Sequence, residues 1–185
     1  LVIEMAFNIN EIRSQLVLGG ARSALFQVRI NNPANGAGDL KSPFMIKASQ
    51  LPASAIGFVE VPYFGRKFKI AGNRQFAPWN VTVINDEDFL IRNAMEEWMN
   101  AINSHVENLR EFAAAGPSDY KTDATVTQFS KTGAPIREYK FVGIFPTDLA
   151  EIPVSWESID EIQQFDITFQ YDYWTVSGAT GTAGT

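Results

Sequence analysis

From Gln164 to Tyr173 the chain alternates without a break. Phe165, Ile167, Phe169, Tyr171 and Tyr173 fall on one side, and Gln164, Asp166, Thr168, Gln170 and Asp172 on the other. A period of two belongs to a strand with one face in a core and one in water, because successive side chains point to opposite faces. A helix cannot use it. The same period recurs in Trp79, Val81 and Val83 against Asn80 and Thr82, in Phe26, Val28 and Ile30, and in Phe68 and Ile70 against Lys67 and Lys69.

Strands are predicted over Ala24–Ile30, over Phe44–Ala48 with Phe44, Ile46 and Ala48 inward, and over Phe76–Ile84. Two more, Gly57–Phe64 and Arg66–Ala71, pair around Gly65, and Thr122–Ser130 pairs with Ile136–Phe145. A last long strand runs from about Ile159 to Trp174. Ala71-Gly72-Asn73 supplies residues that tolerate positive φ and is predicted as a turn. Residues 31–42 read as a loop by their Asn, Pro and Gly content. One helix is expected, about 86–102. Asn85 to Asp88 would cap it and place acids in its first turn, and Phe89, Met95, Trp98, Met99 and Ile102 would form its buried stripe. A short helix ending at Gly19-Gly20 is predicted near the start. Residues 103–118 either prolong the main helix through Val106, Leu109 and Phe112 or form a surface loop. The fold class is therefore mainly β: two packed sheets, sandwich- or barrel-like, with one flanking helix. The expected organisation is an arm over 1–23, a single domain over 24–174 and a flexible Gly/Ala/Ser/Thr tail over 175–185.

Chemistry is harder to find. The 185 residues include no cysteine, which leaves no disulfide framework and no thiolate ligand. His105 is the single histidine, and its neighbours Asn103, Ser104 and Glu107 are those of a solvated surface. Zinc needs three or four nitrogen or sulfur ligands, and none can be assembled. Asp86-Glu87-Asp88 and Asp160-Glu161 lack calcium-loop spacing. Glu96, Glu97 and Glu107 point different ways from a helix, and the glycines at 36, 38 and 72 do not make a phosphate loop. The expected reading is no enzyme, no cofactor and no metal. Leu1–Gly20 is broken by Glu4, Glu11 and Arg13 and is not expected to be a secretion signal, and no apolar run approaches a membrane span. A net charge of −6 argues against a dedicated nucleic-acid binder. The one basic cluster, Arg66, Lys67 and Lys69, is interleaved with Tyr63, Phe64 and Phe68 and is expected at a hairpin tip that shields an edge or docks on an acidic neighbour.

Five segments in order carry a family likeness: KASQLPAS at Lys47–Ser54, the hairpin VPYFGRKFKIAG from Val61, the junction FAPWNVTVINDED, FVGIFPTDL at Phe141–Leu149, and EIQQFDITFQYDYW up to Trp174. Together they cover most of Ala24–Trp174, and in this order they resemble the tail tube proteins of contractile-tailed, myovirus-type bacteriophages. The resemblance implies a structural virion subunit, assembled in the host cytoplasm, whose hexameric rings stack into a rigid tube and whose strands join into a continuous barrel. Implied partners are further copies of the chain, the tail sheath, the baseplate and tail-terminator proteins, and the tape-measure protein in the lumen. DNA would pass without specific binding, and no stable membrane association is implied. Ring-to-ring contact is expected at Tyr63, Arg66, Lys67 and Lys69. The lumen-facing residues are expected to be Gln164, Asp166, Thr168 and Gln170, with Thr125 and Thr127 beside them. The rival is a monomeric ligand-binding β-barrel, which would need an apolar interior pocket.

Overall fold

The computed structural model describes residues 9–16, 20–106 and 116–178. Every strand pair in it is antiparallel. One sheet has the order β1 (Phe26–Ile30), β6 (Thr122–Phe129), β7 (Pro135–Leu149), β9 (Tyr173–Gly178). The other runs β7, β8 (Gln164–Gln170), β5 (Trp79–Ile84), β2 (Ile46–Ser49). Strand β7 serves both. Its pairing with β9 ends at Val142 and its pairing with β8 begins at Phe145, so the changeover straddles Gly143. Gly143 has φ +70°, and a Cβ there would collide with the Asp172 carboxylate. Only glycine meets both demands.

The two inner faces meet through aromatic rings. Trp79 of β5 stacks on Phe141 of β7 with centroids 4.4 Å apart and leans on Phe169 of β8 at 5.4 Å, while Phe141 meets Tyr171 edge-on at 5.0 Å. Val28, Val81, Val126, Ile144 and Ile167 complete the core. Helix α3 (Leu90–Ile102) buries Ile91, Ala94, Met95, Trp98 and Ala101. Its Trp98 reaches Phe169, and the indole N–H donates to the carbonyl oxygen of Tyr120 at 2.9 Å. Mainly β, two packed sheets and one flanking helix is thus the observed architecture. Among the described residues these rings occupy the space between the sheets, where the rival would need an interior pocket.

Several local expectations are corrected. Helix α3 starts at Leu90 and not near 86: Phe89 takes the N-cap position with φ 51° and is exposed, so the acids precede the helix and Phe89 is outside its buried stripe. Asp88 still accepts from the backbone N–H of Leu90 at 3.1 Å. Phe44 sits in a helical turn, Ser42–Met45, and is exposed. Register slips between Ile46 and Ala48, which turns Ala48 outward as well. Residues 71–73 make no turn, because the fourth strand continues to Phe76 and takes the extra residue as a bulge at Gly72-Asn73 opposite Gly57. The long last strand is two strands broken at Tyr171-Asp172, so Tyr171 is buried and Tyr173 exposed. Strand β9 then runs to Gly178, into the segment expected to be a flexible tail. Near the start, helix α1 (Ile9–Gln15) is exposed throughout. Glu107, Leu109 and Phe112 lie outside the described residues, as do 179–185.

Candidate functional site

Among the described residues no single cleft gathers catalytic or metal-binding side chains. Among the described residues no group of three or more His, Asp or Glu side chains could hold a metal ion, and no helix is long and apolar enough to cross a membrane. His105 is exposed and shares a hydrogen bond with Asn100 at 2.9 Å. What the structure presents instead are unpaired surfaces.

The first is a ribbon of β3 (Ser54–Tyr63) and β4 (Arg66–Phe76), which among the described residues pair only with each other. Phe64 and Gly65 form its two-residue turn with φ 44° and 78°. Positive φ at both positions is the turn that matches the twist of a hairpin and ordinarily calls for Asn-Gly. Directly opposed residues share a face. Val59 faces Ile70, Val61 faces Phe68 and Tyr63 faces Arg66, which makes one face largely apolar. Phe58 faces Ala71, Glu60 faces Lys69 and Pro62 faces Lys67, which makes the other face charged. Lys67 bonds Glu60 at 2.8 Å, and Lys69 lies over the Phe58 ring at 4.7 Å. Val59, Phe68 and Ile70 remain about half exposed, and Phe64 is 90% exposed. The three basic residues of the predicted site are therefore brought together with Tyr63, but two of them are already partnered within the ribbon.

The second surface is the outer face of the β2-β5-β8 sheet. Thr82 donates to Asp166 at 2.6 Å, Thr168 donates to Asn80 at 3.0 Å, and the Lys47 ammonium donates to Gln164 at 2.9 Å. The β5 and β8 residues are successive cross-strand positions on one face, and Asn80, Thr82, Asp166 and Thr168 line an open cleft of about 450 Å³ with Ser49 and Asp148. Gln164, Asp166 and Thr168 thus come together as expected, and Gln170 continues β8 on the same alternation. Thr125 and Thr127 do not join them. They lie on β6 in the other sheet, opposite Arg29 and Lys140, and Gln27 and Glu138, respectively. On that face Lys140 pairs with Asp123 at 2.8 Å, which holds the ammonium above its ordinary range.

The third surface was not legible as one. Between β7 and β8 the chain leaves the sheet, and Val154, Trp156, Ile159 and Ile162 are all exposed there, Trp156 completely. The strand predicted from Ile159 obscured this loop. Pro153 and the polar run Ser155, Glu157, Ser158, Asp160 were the signal against a strand.

A family-wide sequence profile described as "Phage tail tube protein" matches residues 7–177. The tail tube protein gp19 of Enterobacteria phage T4 is 34% identical over 155 residues, which span 83% of this chain and 90% of that one. Among solved structures, the tube-terminating cap of the anti-feeding prophage superposes with a TM-score of 0.64 at 21% identity, covering 97% of this chain and all of the other. A chain of the PVC sheath–tube complex, an extracellular contractile injection system in its extended state, gives 0.58 at 16% identity over 94% of this chain and all of the other.

Proposed function

The chain belongs to the phage tail tube protein family and is a structural subunit of a contractile phage tail, and we propose how its surfaces build that tube. The observation that carries the reading is the β7-β8-β5-β2 sheet. Its outer face is polar and cross-linked by hydrogen bonds. Its two outermost strands, β2 and the Phe145–Leu149 part of β7, each have a side without a strand partner among the described residues. Unlike edges on opposite sides of one sheet suit a heterologous contact, in which each copy adds to the next until a ring closes. Six copies per ring, as the family resemblance implies, would join these strands into a continuous barrel.

In this arrangement Gln164, Asp166, Thr168 and Gln170 line the lumen together with Asn80 and Thr82. Asp166 and Asp148 keep the wall acidic against DNA, because a basic lining would bind phosphate in a salt-dependent way. Thr125 and Thr127, on the opposite sheet, then face away from the lumen and toward a sheath, the partner present in the PVC complex. Baseplate and terminator proteins would cap the stack, a tape-measure protein would occupy the lumen during assembly in the host cytoplasm, and DNA would later pass through. The ribbon, with Tyr63, Arg66, Lys67 and Lys69 near its tip, makes the ring-to-ring contact. No step in this role is catalytic.

Negative-stain images of concentrated protein test the assembly: rings or tubes are expected, and a strict monomer at every concentration would overturn it. Asp166→Lys with Gln170→Lys tests the lumen. Normal tubes with slowed genome ejection are expected, whereas unchanged ejection would mean that this face looks outward.

A further inference from the structure

The ribbon and the loop between β7 and β8 complement each other in charge and in apolar surface, and they occupy opposite ends of the subunit. The ribbon joins the domain through Phe76, three residues before β5, where Phe76 packs on Tyr171 just past the end of β8. The loop sits at the other end of the same two strands. Ala150 donates its N–H to the Asp166 carbonyl oxygen on the way out. On return, Gln163 pairs with Asn85, the residue after β5, through backbone and side chain at 2.9 and 3.0 Å. Strand β5 alone separates the two surfaces by about 20 Å, and the eleven residues of β4 let the tip reach about 35 Å further.

Their compositions are mirror images. Ser54–Phe76 carries four cations, Arg66, Lys67, Lys69 and Arg74, against the single carboxylate of Glu60. Residues 151–163 carry Glu151, Glu157, Asp160 and Glu161 and no cation. Asp86 and Glu87 stand across a cleft of about 540 Å³ from Glu161 and Ile162. Both segments also expose large apolar side chains: Val59, Phe64, Phe68 and Ile70 on one, Val154, Trp156, Ile159 and Ile162 on the other. Among the described residues nothing covers either set. Phe64 sharpens the point, because a bulky residue at φ 44° is disfavoured in the free hairpin and so invites an explanation outside it.

We propose that the occupant of this acidic, apolar loop is the β3-β4 ribbon of a second copy of the chain. The ribbon lays its apolar face and Phe64 tip against Trp156, Ile159 and Ile162, while Arg66, the cation on that face, meets Glu157 and Glu161. This rests on the reading that the ribbon makes the ring-to-ring contact, and it names the receiving surface. Because donor and acceptor are different surfaces at opposite ends, the contact is head-to-tail and open, so it propagates along an axis without limit. Opposite charges would steer and orient each addition, and the apolar residues would supply the dehydrated contact.

Charge reversal separates the two layers of the argument. Arg66→Glu is expected to cut sedimentable tube mass at least roughly tenfold, and so is Glu157→Lys with Glu161→Lys, both with unchanged thermal unfolding. All three changes in one chain should restore tubes. Normal tubes from the loop variant would overturn the proposed acceptor while leaving the ribbon's role standing. Normal tubes from the ribbon variant would overturn the ribbon reading itself. A combined variant that folds but does not recover would also overturn the pairing. A second probe does not depend on charge. The chain has no cysteine, so Arg66→Cys with Glu157→Cys introduces the sole pair. Oxidised tubes should then give a ladder of covalent multimers, and dimers alone, or none, would exclude head-to-tail contact between these segments.

Discussion

Strands β4 and β5 are neighbours in the chain and alternate in the same way, yet Trp79, Val81 and Val83 of β5 are at most 2% exposed while Phe68 and Ile70 of β4 are 52% and 48% exposed. The difference lies in what each strand has beside it. Strand β5 sits between β2 and β8, with Phe141 of the facing sheet stacked on its tryptophan. Among the described residues strand β4 has only β3 beside it. An isolated two-stranded hairpin is marginal in water, and this one is long, so its apolar face marks an interface that a single chain leaves unfinished. The two regions thus separate stability from assembly. One should respond to mutation by unfolding, the other by failing to polymerise.

The largest effect is expected in the finished region. Phe141→Ala would leave a cavity beneath Trp79 and beside Tyr171, at a cost of about 3–5 kcal/mol. Urea unfolding of the subunit measures this. A loss below about 1 kcal/mol would mean that the stack between the sheets is not what holds them together.

Smaller, and opposite in sign, is the effect expected at the ribbon tip. Phe64→Asn replaces a bulky residue at positive φ with one that tolerates it, which should stabilise the free subunit by about 1 kcal/mol. The same change should weaken tube formation. A variant more stable and equally competent to assemble would dissolve the contrast between the two strands at its sharpest point.

Along the ribbon, Phe68→Ser with Ile70→Ser should cost the folded subunit less than about 1 kcal/mol, since the side chains are half solvated and their loss removes only cross-strand contacts. Sedimentation should nevertheless show no tubes. If unfolding tracked the substitution as steeply as in β5, the ribbon's apolar face would be covered within its own chain.

This contrast also marks what was legible in the sequence. Alternation located the strands well, because the period of two follows from the backbone itself. It said that Phe68 and Trp79 each lie on an apolar face and nothing about whether that face is covered, which depends on which strands pair and on which copies meet. The polar ladder of Gln164, Asp166 and Thr168 was readable because one strand carries it. Its separation from Thr125 and Thr127 was not, because it depends on β7 changing sheets at Gly143. The break at Tyr171-Asp172 was missed for a related reason: alternation continues through it in the sequence, while the chain turns from β8 into β9 on the other sheet. Phe89 was misplaced because its spacing suits the helix stripe, whereas its left-handed backbone points it outward.

The smallest expected effect concerns the turn between β5 and α3, part of the acidic end to which the ribbon is proposed to dock. Lys41 bonds both Asp86 and Asp88 there. Its ammonium holds the Asp88 carboxyl below the usual value of 3.8, and hydrogen bonds to the two carboxylates hold Lys41 above its usual 10.5. A depressed carboxylate contributes stability above its unfolded pKa and loses it as pH falls through the folded one. A raised lysine contributes below its unfolded pKa and loses it as pH rises through the folded one. The difference in stability between the wild-type chain and Lys41→Met should therefore be small and flat across neutral pH, shrinking toward zero at both extremes. Thermal midpoints across the pH range measure it. All three groups are exposed, so salt should screen the difference further. A large difference, or one that grew as pH fell below 3.8, would show that Lys41 supports the fold by packing and not by charge, and would move this turn from the unfinished region of the subunit to the finished one.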